Sequence, residues 1–253
     1  MNKIWKILQS WRVILSPHVL KPFIIIHIFN TIQVICGYYL FIFYPVEILS
    51  EVRRNSSQEE TDAYLCGVIL SIVRLVFILA AQISIFHIGR RPIALISGVG
   101  SSVSALIVAL LLYIRWVKSI LQIDDWIVFG IILLFIGFYT FGFSVLPCIM
   151  IGETQPAEVR SLMTGYLFTI HDTILGIVIQ NYYSMLNSIG IEGMFLMFGT
   201  SCFVCTVFVY FFLPETYGKS LLEIESYFQQ RNIMWTTRKK HSNDVSNLGE
   251  EKC

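Results

Sequence analysis

Six long apolar stretches constrain the fold of this chain more than any other feature of its sequence. Each is long enough to cross a bilayer core of about 30 Å, which takes roughly 20 apolar residues of helix. Inside lipid the backbone N–H and C=O groups must bond to one another, and an α-helix satisfies them within one segment. The six predicted spans are residues 22–46, 63–87, 92–114, 126–152, 161–190 and 193–213. We therefore predict an all-α membrane protein whose six transmembrane helices lie in the lipid bilayer.

The composition agrees with a membrane protein and excludes several other classes. Apolar residues make up 55% of the chain and charged residues only 14%, which is too few charges for the surface of a soluble domain. A net charge of +1 gives no electrostatic footprint for nucleic acid. The cysteines lack metal-ligand spacing, and no nucleophile–base grouping occurs, so we expect no enzyme activity, no catalytic residue, no metal and no cofactor. We interpret the cysteines of the apolar stretches as small buried hydrophobic residues.

The basic residues between the spans indicate the orientation in the membrane. With the N-terminus in the cytosol, 13 Lys and Arg residues fall on the cytosolic side and four on the outer side. Short cytosolic loops of membrane proteins are enriched in these residues. We therefore expect a multi-pass protein of the plasma membrane with both termini in the cytosol.

The spans divide the chain into three regions. Residues 1–21 form a basic amphipathic segment at the cytosolic surface, because lysines and arginines alternate there with tryptophan, isoleucine and leucine. Residues 22–213 form the six-helix transmembrane bundle. Residues 214–253 form a cytosolic tail, which we expect to be disordered from about residue 232, where apolar residues become rare. The loop after the first span contains a glycosylation sequon at Asn55.

A stripe of small residues runs along the third span. Ser97, Ser101, Ala105 and Ala109 recur at four-residue spacing, so they lie on one face of a helix. In lipid, small residues on a common face let another helix approach closely. We therefore predict a helix-packing surface there.

Five motifs lie in the first span or near the predicted cytosolic ends of the spans. They are Val19-Leu20-Lys21-Pro22-Phe23, Gln33 with Gly37, Gly89-Arg90-Arg91, Glu153 with Arg160, and Pro214-Glu215-Thr216-Tyr217-Gly218-Lys219-Ser220. With these motifs the chain, up to about Phe228, resembles the sugar porters of the major facilitator superfamily, most nearly the insect facilitated trehalose transporters. The last motif is the most specific of the five.

The resemblance implies that the six spans are helices seven to twelve of a twelve-helix transporter, that is, its C-terminal half-bundle. It implies transmembrane transport of a small polar solute, with trehalose or a hexose as the substrate, by alternating access. Such transporters bind the solute near the midplane, between two six-helix halves. A second six-helix half is therefore an expected partner, and we expect this chain alone to carry sugar poorly.

Charged residues at the cytosolic helix ends are candidate gating residues. The resemblance and their shared membrane face together predict a latch formed by Arg90, Arg91, Glu153, Arg160 and Glu215. Exposed ion pairs are worth less than about 1 kcal/mol each, which suits a gate that opens and closes. The alternative is a set of separately solvated loop charges.

Polar residues inside the spans are the candidate substrate-binding residues, because such residues are costly in lipid and tend to face a cavity or the bundle interior. The candidates are Asn30, Gln33, Tyr39, Arg74, His171, Asp172 and Gln180. For each neutral residue among them, packing between helices is an equal alternative.

Several cavity positions depart from the pattern of the sugar porters. Arg74 stands where a neutral amide is common, and His171-Asp172 replaces the usual Asn-Trp pair. Arg74 and Asp172 either pair with each other or reach cavity water separately. A substrate carboxylate that competes for Arg74 would shift specificity from sugars toward anionic solutes.

Two rival interpretations stay open at this point. One is a degenerate or truncated half-transporter that has no transport activity and binds another membrane protein. The other, a membrane enzyme, finds no support in the pattern of reactive side chains.

Overall fold

A computed structural model of the chain describes residues 17–53, 60–117, 124–155 and 159–218. The predicted amphipathic segment before residue 17, Asn55 and the tail from residue 219 lie outside the described residues. The described parts are helical and contain no strand. The helices are α1 (Pro17–Ile35), α2 (Leu40–Phe43), α3 (Pro45–Val52), α4 (Glu60–Ile85), α5 (Arg90–Val117), α6 (Asp125–Phe141), α7 (Leu146–Thr154), α8 (Arg160–Gln180) and α9 (Tyr182–Phe212).

Five segments of the described residues are long and apolar enough to cross a membrane. They are Tyr64–Ile85, Arg90–Arg115, Asp125–Thr154, Arg160–Gln180 and Tyr182–Phe212, and Val19–Ile35 is a shorter apolar helix. These segments confirm the all-helical membrane fold. They correspond in order to the six predicted spans, with the first span shorter than the sequence suggested.

The first predicted span is not one continuous helix, and this part of the prediction is wrong. Helix α1 ends at Ile35, and the chain turns before α2 and α3 continue toward the loop. Gly37 has a φ of 85°, a left-handed conformation that favours glycine. Pro45 stands in the first turn of α3, where its missing N–H costs nothing. The backbone is therefore interrupted within the apolar stretch.

The fourth and fifth predicted spans are also interrupted. The fourth consists of α6 and α7, which are separated by a turn at residues 142–145. In the fifth, α8 ends at Gln180, and helical structure resumes at Tyr182. The backbone then departs from helical geometry at Gly190, where φ is 69° and ψ is 173°.

The small-residue stripe of α5 packs in the centre of the bundle, as the sequence predicted. Ser97, Ser101 and Ala105 are completely buried, and Ala109 is 5% exposed. Ser102 Oγ, on the same helix, donates to the carbonyl oxygen of Gly199 in α9 at 3.0 Å. Helix α5 makes its most extensive contacts with α9 and α6, and it is therefore the central packing helix of the bundle.

The buried cysteines agree with the sequence-based interpretation, with one exception. Cys36, Cys66, Cys202 and Cys205 are buried. Cys148 is exposed on α7, so its assignment to the core is wrong. Cys148 follows Pro147 in the first turn of a short helix that packs on α1 and α8, and an apolar sequence does not by itself imply burial.

Helices α4 and α8 are the least covered parts of the bundle. In the apolar 18-residue stretch of each of these helices, only 17% of the residues are buried. The same share is 50% for α5 and 56% for the segment that contains α6 and α7. Helix α8 packs mainly on α1 and α7, and α4 mainly on α6 and α3. One side of both helices therefore remains open to contact with lipid or with another protein surface.

Candidate functional site

Two of the predicted substrate residues, Asn30 and Gln33, bond to each other inside the bundle. Gln33 Nε2 donates to Asn30 Oδ1 at 3.0 Å, and both residues are at least 95% buried. The hydroxyl of Tyr139 in α6 donates to the backbone carbonyl oxygen of Gln33 at 2.7 Å. These bonds fix the last turns of α1 against α6. Asn30 and Gln33 therefore contribute to helix packing, and both are buried beneath the open surface.

An aromatic stack connects this buried pair to Arg74. Tyr38 and Tyr139 stack with ring centres 4.5 Å apart. Arg74 Nε donates to the hydroxyl oxygen of Tyr38 at 3.2 Å, and the guanidinium carbon lies 5.4 Å from the centre of the Tyr38 ring. The contact combines a charge-assisted hydrogen bond with a cation–π interaction. Tyr38 was not among the predicted site residues, because a tyrosine in an apolar run is usually a packing residue.

Arg74 does not pair with Asp172. Among the ion pairs within 4.0 Å between described residues, none joins these two side chains. Arg74 is half-buried on α4, whereas Asp172 is exposed on the uncovered side of α8. Of the two alternatives that the sequence left open, separate charges are the arrangement that the structure has.

Tyr39 and His171 meet at the edge of the open surface. Their rings pack edge to face with centres 5.2 Å apart, which joins the turn after α1 to α8. His171 is 8% exposed, and its Nδ1 atom is buried without a hydrogen-bond partner in the described part of the chain. Asp172 follows it on the exposed side. Gln180, at the last residue of α8, is exposed and has no hydrogen bond to the other candidate residues.

At the end of the bundle where α4 ends and α5 begins, Arg90 and Glu153 form an ion pair. Arg90 Nη2 lies 2.6 Å from Glu153 Oε1, and Arg90 Nε also donates to both carboxylate oxygens. Thr216 Oγ1 donates to Glu153 Oε2 at 2.6 Å. The side chains of Arg90 and Glu153 are 16% and 28% exposed, respectively. Partial burial and the two-nitrogen contact make this pair stronger than the exposed pairs that the sequence predicted.

Glu215 is the second carboxylate of this cluster, and it caps α5. Its Oε1 accepts from the backbone N–H of Arg90 at 3.0 Å, and its Oε2 accepts from that of Arg91 at 3.1 Å. The first N–H groups of a helix have no intrahelical partner, and a negative charge there is favourable. Gly89, with a φ of 93°, leaves room for the Glu215 carboxylate. Glu215 thus holds the segment after α9 against the start of α5.

The remaining two gating candidates contact backbone oxygens. Arg91 Nη2 donates to the carbonyl oxygen of Tyr210 in α9. Arg160 Nε and Nη2 donate to the carbonyl oxygen of Gln155 at 3.2 and 3.1 Å. Arg160 therefore bridges the end of α7 and the start of α8, and the partner of Glu153 is Arg90. The structure brings four of the five candidates together and leaves Arg160 in a local contact.

Four residues with contacts at the two ends of the bundle were not among the predicted site residues. Thr216 and Tyr217 belong to the quoted motif after the last span, and Tyr217 lies with its ring 5.4 Å from the Arg90 guanidinium carbon. The motif itself was the signal that could have found them. At the opposite end of the bundle, Tyr44 stacks on Tyr182 with ring centres 4.5 Å apart. No sequence pattern pairs two tyrosines so far apart in the chain.

A family model described as "Sugar (and other) transporter" matches residues 1–228. The chain belongs to this sugar transporter family. A family of transporters, and not of enzymes, agrees with the absence of a nucleophile–base grouping in the sequence. The match covers all of the described helices and the charged cluster at their ends.

Sugar transporter family members of insects are among the similar curated proteins. The chain is 27% identical over 229 residues to the facilitated trehalose transporter Tret1 of Aedes aegypti, which is 90% of this chain and 27% of that protein. It is 28% identical to Tret1 of Anopheles gambiae over the same shares, and 28% identical to Tret1 of Polypedilum vanderplanki over 90% of this chain and 43% of that protein. The chain thus spans about a quarter to two fifths of the length of these relatives.

Two solved structures have a similar fold. A double tryptophan mutant of XylE superposes with a TM-score of 0.73 at 16% identity, over 89% of this chain and 48% of that one. The proton:xylose symporter XylE bound to 6-bromo-6-deoxy-D-glucose superposes with a TM-score of 0.65 at 15% identity, over 81% and 42%. The described helices therefore share the fold of these two XylE structures.

Proposed function

We propose that this chain takes part in the transmembrane movement of a small polar solute, a sugar in the first instance, by alternating access. The family match over residues 1–228 is the observation that carries the proposal. The curated relatives are named as facilitated trehalose transporters, which makes trehalose and hexoses the first solutes to test.

The uncovered side of the bundle supports a pathway that is completed by a second six-helix half. We infer that these helices act as the C-terminal half of a twelve-helix transporter, in which α1, α4 and α8 face the other half. Asp172 is exposed on α8, and a charged side chain is costly on a lipid-facing surface. Tyr39, His171 and Arg74 border the same open side, and together with Gln180 they are our candidate solute contacts.

The charged cluster supports a gate at the cytosolic end. The Arg90–Glu153 pair and the Glu215 cap connect α5, α7 and the segment after α9. Breaking these contacts would let the helix ends separate. Arg91 and Arg160 add contacts to backbone oxygens, so we place all five residues in the gating set.

The proposed orientation, with both termini in the cytosol of a plasma-membrane protein, predicts that terminal tags are accessible only after permeabilisation.

A chimaera tests the proposed transport. In the Aedes aegypti relative, the region that aligns with this chain over 229 residues is replaced by this chain, and the chimaera is expressed in oocytes. We expect saturable uptake of labelled trehalose, glucose or another labelled polar solute above that of uninjected cells. The parent transporter is the positive control. A chimaera that reaches the cell surface and moves none of a broad set of polar solutes would contradict the proposal.

A further inference from the structure

Arg74 carries a full positive charge at mid-depth of the membrane. It lies ten positions beyond Tyr64 in the 22-residue apolar segment Tyr64–Ile85, or about 15 Å from the start at roughly 1.5 Å per residue. A guanidinium stays protonated in proteins. A charge at that depth costs several kcal/mol unless it faces a partner, a cavity or the bundle interior. The site therefore has to offset this charge.

The structure fixes the guanidinium but leaves its charge without an acidic partner. Arg74 Nε bonds to the Tyr38 hydroxyl, Tyr38 stacks on Tyr139, and Tyr139 bonds to the backbone of Gln33. No carboxylate among the described residues lies within ion-pair distance of Arg74. The described hydrogen bond of Arg74 uses Nε, and no hydrogen bond between described residues uses its two terminal nitrogen atoms. Two parallel donors of this kind match the two oxygen atoms of a carboxylate.

We propose that the solute bound at this site carries a carboxylate, which Arg74 binds through its two terminal nitrogen atoms. The proposal rests on the proposed transport function and names the substrate class of the same site as a hydroxylated carboxylic acid, such as a sugar acid. The ring of Tyr39 stands beside Tyr38, with centres 5.3 Å apart, and offers an apolar face to the carbon skeleton. His171, which packs on Tyr39, and Asp172 offer partners to hydroxyl groups.

The negative charge of Asp172 favours one orientation of the bound solute. Asp172 is exposed on α8 and has the same sign as the solute carboxylate, so the two repel each other. The solute therefore places its carboxylate on α4, at Arg74, and its hydroxyl groups toward α8. A neutral sugar would leave the guanidinium without a counter-charge, whereas a carboxylate offsets it inside the pathway.

The test compares two ligands that differ in charge alone. The chimaeric transporter described under the proposed function is placed in lipid nanodiscs, and the binding of D-glucuronate, of its neutral amide D-glucuronamide and of D-glucose is measured by microscale thermophoresis. A charge-assisted bond is worth roughly 1.5–3 kcal/mol, so we expect D-glucuronate to bind at least about tenfold tighter than D-glucuronamide. This comparison needs no variant and does not depend on whether a variant folds.

Variants of Arg74 then locate the preference. In Arg74→Gln we expect the affinities for D-glucuronate and D-glucuronamide to become equal. Arg74→Lys, which keeps the charge but loses the two-nitrogen geometry, should retain part of the preference. An apparent Tm and a size-exclusion profile equal to those of the parent show that the variant is folded.

Three results separate the two proposals. Equal affinity of the chimaera for D-glucuronate and D-glucuronamide overturns the carboxylate proposal while leaving transport of neutral solutes in place. A preference that persists in Arg74→Gln overturns the role of Arg74. If none of the three ligands binds to the folded chimaera, the proposed sugar transport fails, and the carboxylate proposal fails with it.

Discussion

At the scale of single residues, Glu153 is the centre of the charged cluster. Its carboxylate accepts from Arg90 and from Thr216, which come from the start of α5 and from the segment after α9. The sequence placed Glu153, Arg90 and Glu215 at one membrane face, because hydropathy and charge fix the ends of the spans. It could not identify the partner of Glu153, because the pair is 63 residues apart and depends on which helix ends meet.

We expect Glu153→Gln to loosen the end of the bundle that we propose to be cytosolic. The neutral amide cannot offset the Arg90 charge, and the loss of a charge-assisted pair is worth about 1–3 kcal/mol. Cys148, exposed on α7, is a native reporter of this end. In inside-out vesicles, and with Cys253 replaced by serine, Cys148 of Glu153→Gln should react several times faster with a polar maleimide than in the parent.

The matched control lies at the opposite end of the bundle. Asp125 Oδ1 accepts from Arg115 Nη1 at 2.6 Å, and both side chains are less than a fifth exposed. Asp125→Asn removes a comparable ion pair without affecting the cytosolic end, so it should leave the labelling of Cys148 unchanged. Equal labelling rates in Glu153→Gln and the parent would remove Glu153 from the gate.

At the scale of the elements, the continuous helices were predictable and the interruptions were not. Helix α5 was expected over residues 92–114 and is observed as Arg90–Val117, because an apolar segment without special backbone positions has one stable conformation in lipid. The breaks at Gly37 and at residues 142–145 lie inside apolar runs, and hydropathy does not report backbone conformation. Gly37, Pro45 and Gly142 were the available signals, but glycine and proline are also common in unbroken transmembrane helices.

We expect Gly37→Ala to destabilise the turn between α1 and α2. The φ of 85° is unfavourable for alanine, and a Cβ atom there would clash with the ring of Phe198 in α9. Strain and overpacking together cost roughly 2 kcal/mol or more. Thermal unfolding of the purified protein in detergent should therefore shift to a lower apparent Tm.

Gly165→Ala is the matched control for this turn. Gly165 is helical in α8, and a Cβ atom added there meets nothing within 4 Å. Alanine is better than glycine inside a helix by up to about 1 kcal/mol, so the apparent Tm should stay the same or rise. If Gly37→Ala unfolds at the same temperature as Gly165→Ala, the turn does not depend on the left-handed conformation.

At the scale of the whole molecule, the bundle is closed on one side and open on the other. The apolar segments could be predicted because hydropathy along the chain identifies the stretches that are embedded in lipid. The uncovered side of α4 and α8 could not be predicted, because it depends on how the helices are arranged around α5. The sequence therefore identified His171 and Asp172 as candidates but could not say that one is buried against Tyr39 and the other is exposed.

The reactivity of one cysteine on α8 tests most directly whether this open side lines a solute pathway. The background is the chimaeric transporter with Cys148 and Cys253 replaced by serine. Thr173→Cys in this background is treated with a charged methanethiosulfonate. Phe203→Cys, on the exposed side of α9, is the lipid-facing control. We predict that Thr173→Cys reacts from water, that trehalose or D-glucuronate slows this reaction, and that Phe203→Cys does not react. A Thr173→Cys variant that is as inert as Phe203→Cys, or that reacts at a rate no solute changes, would contradict a pathway along α8.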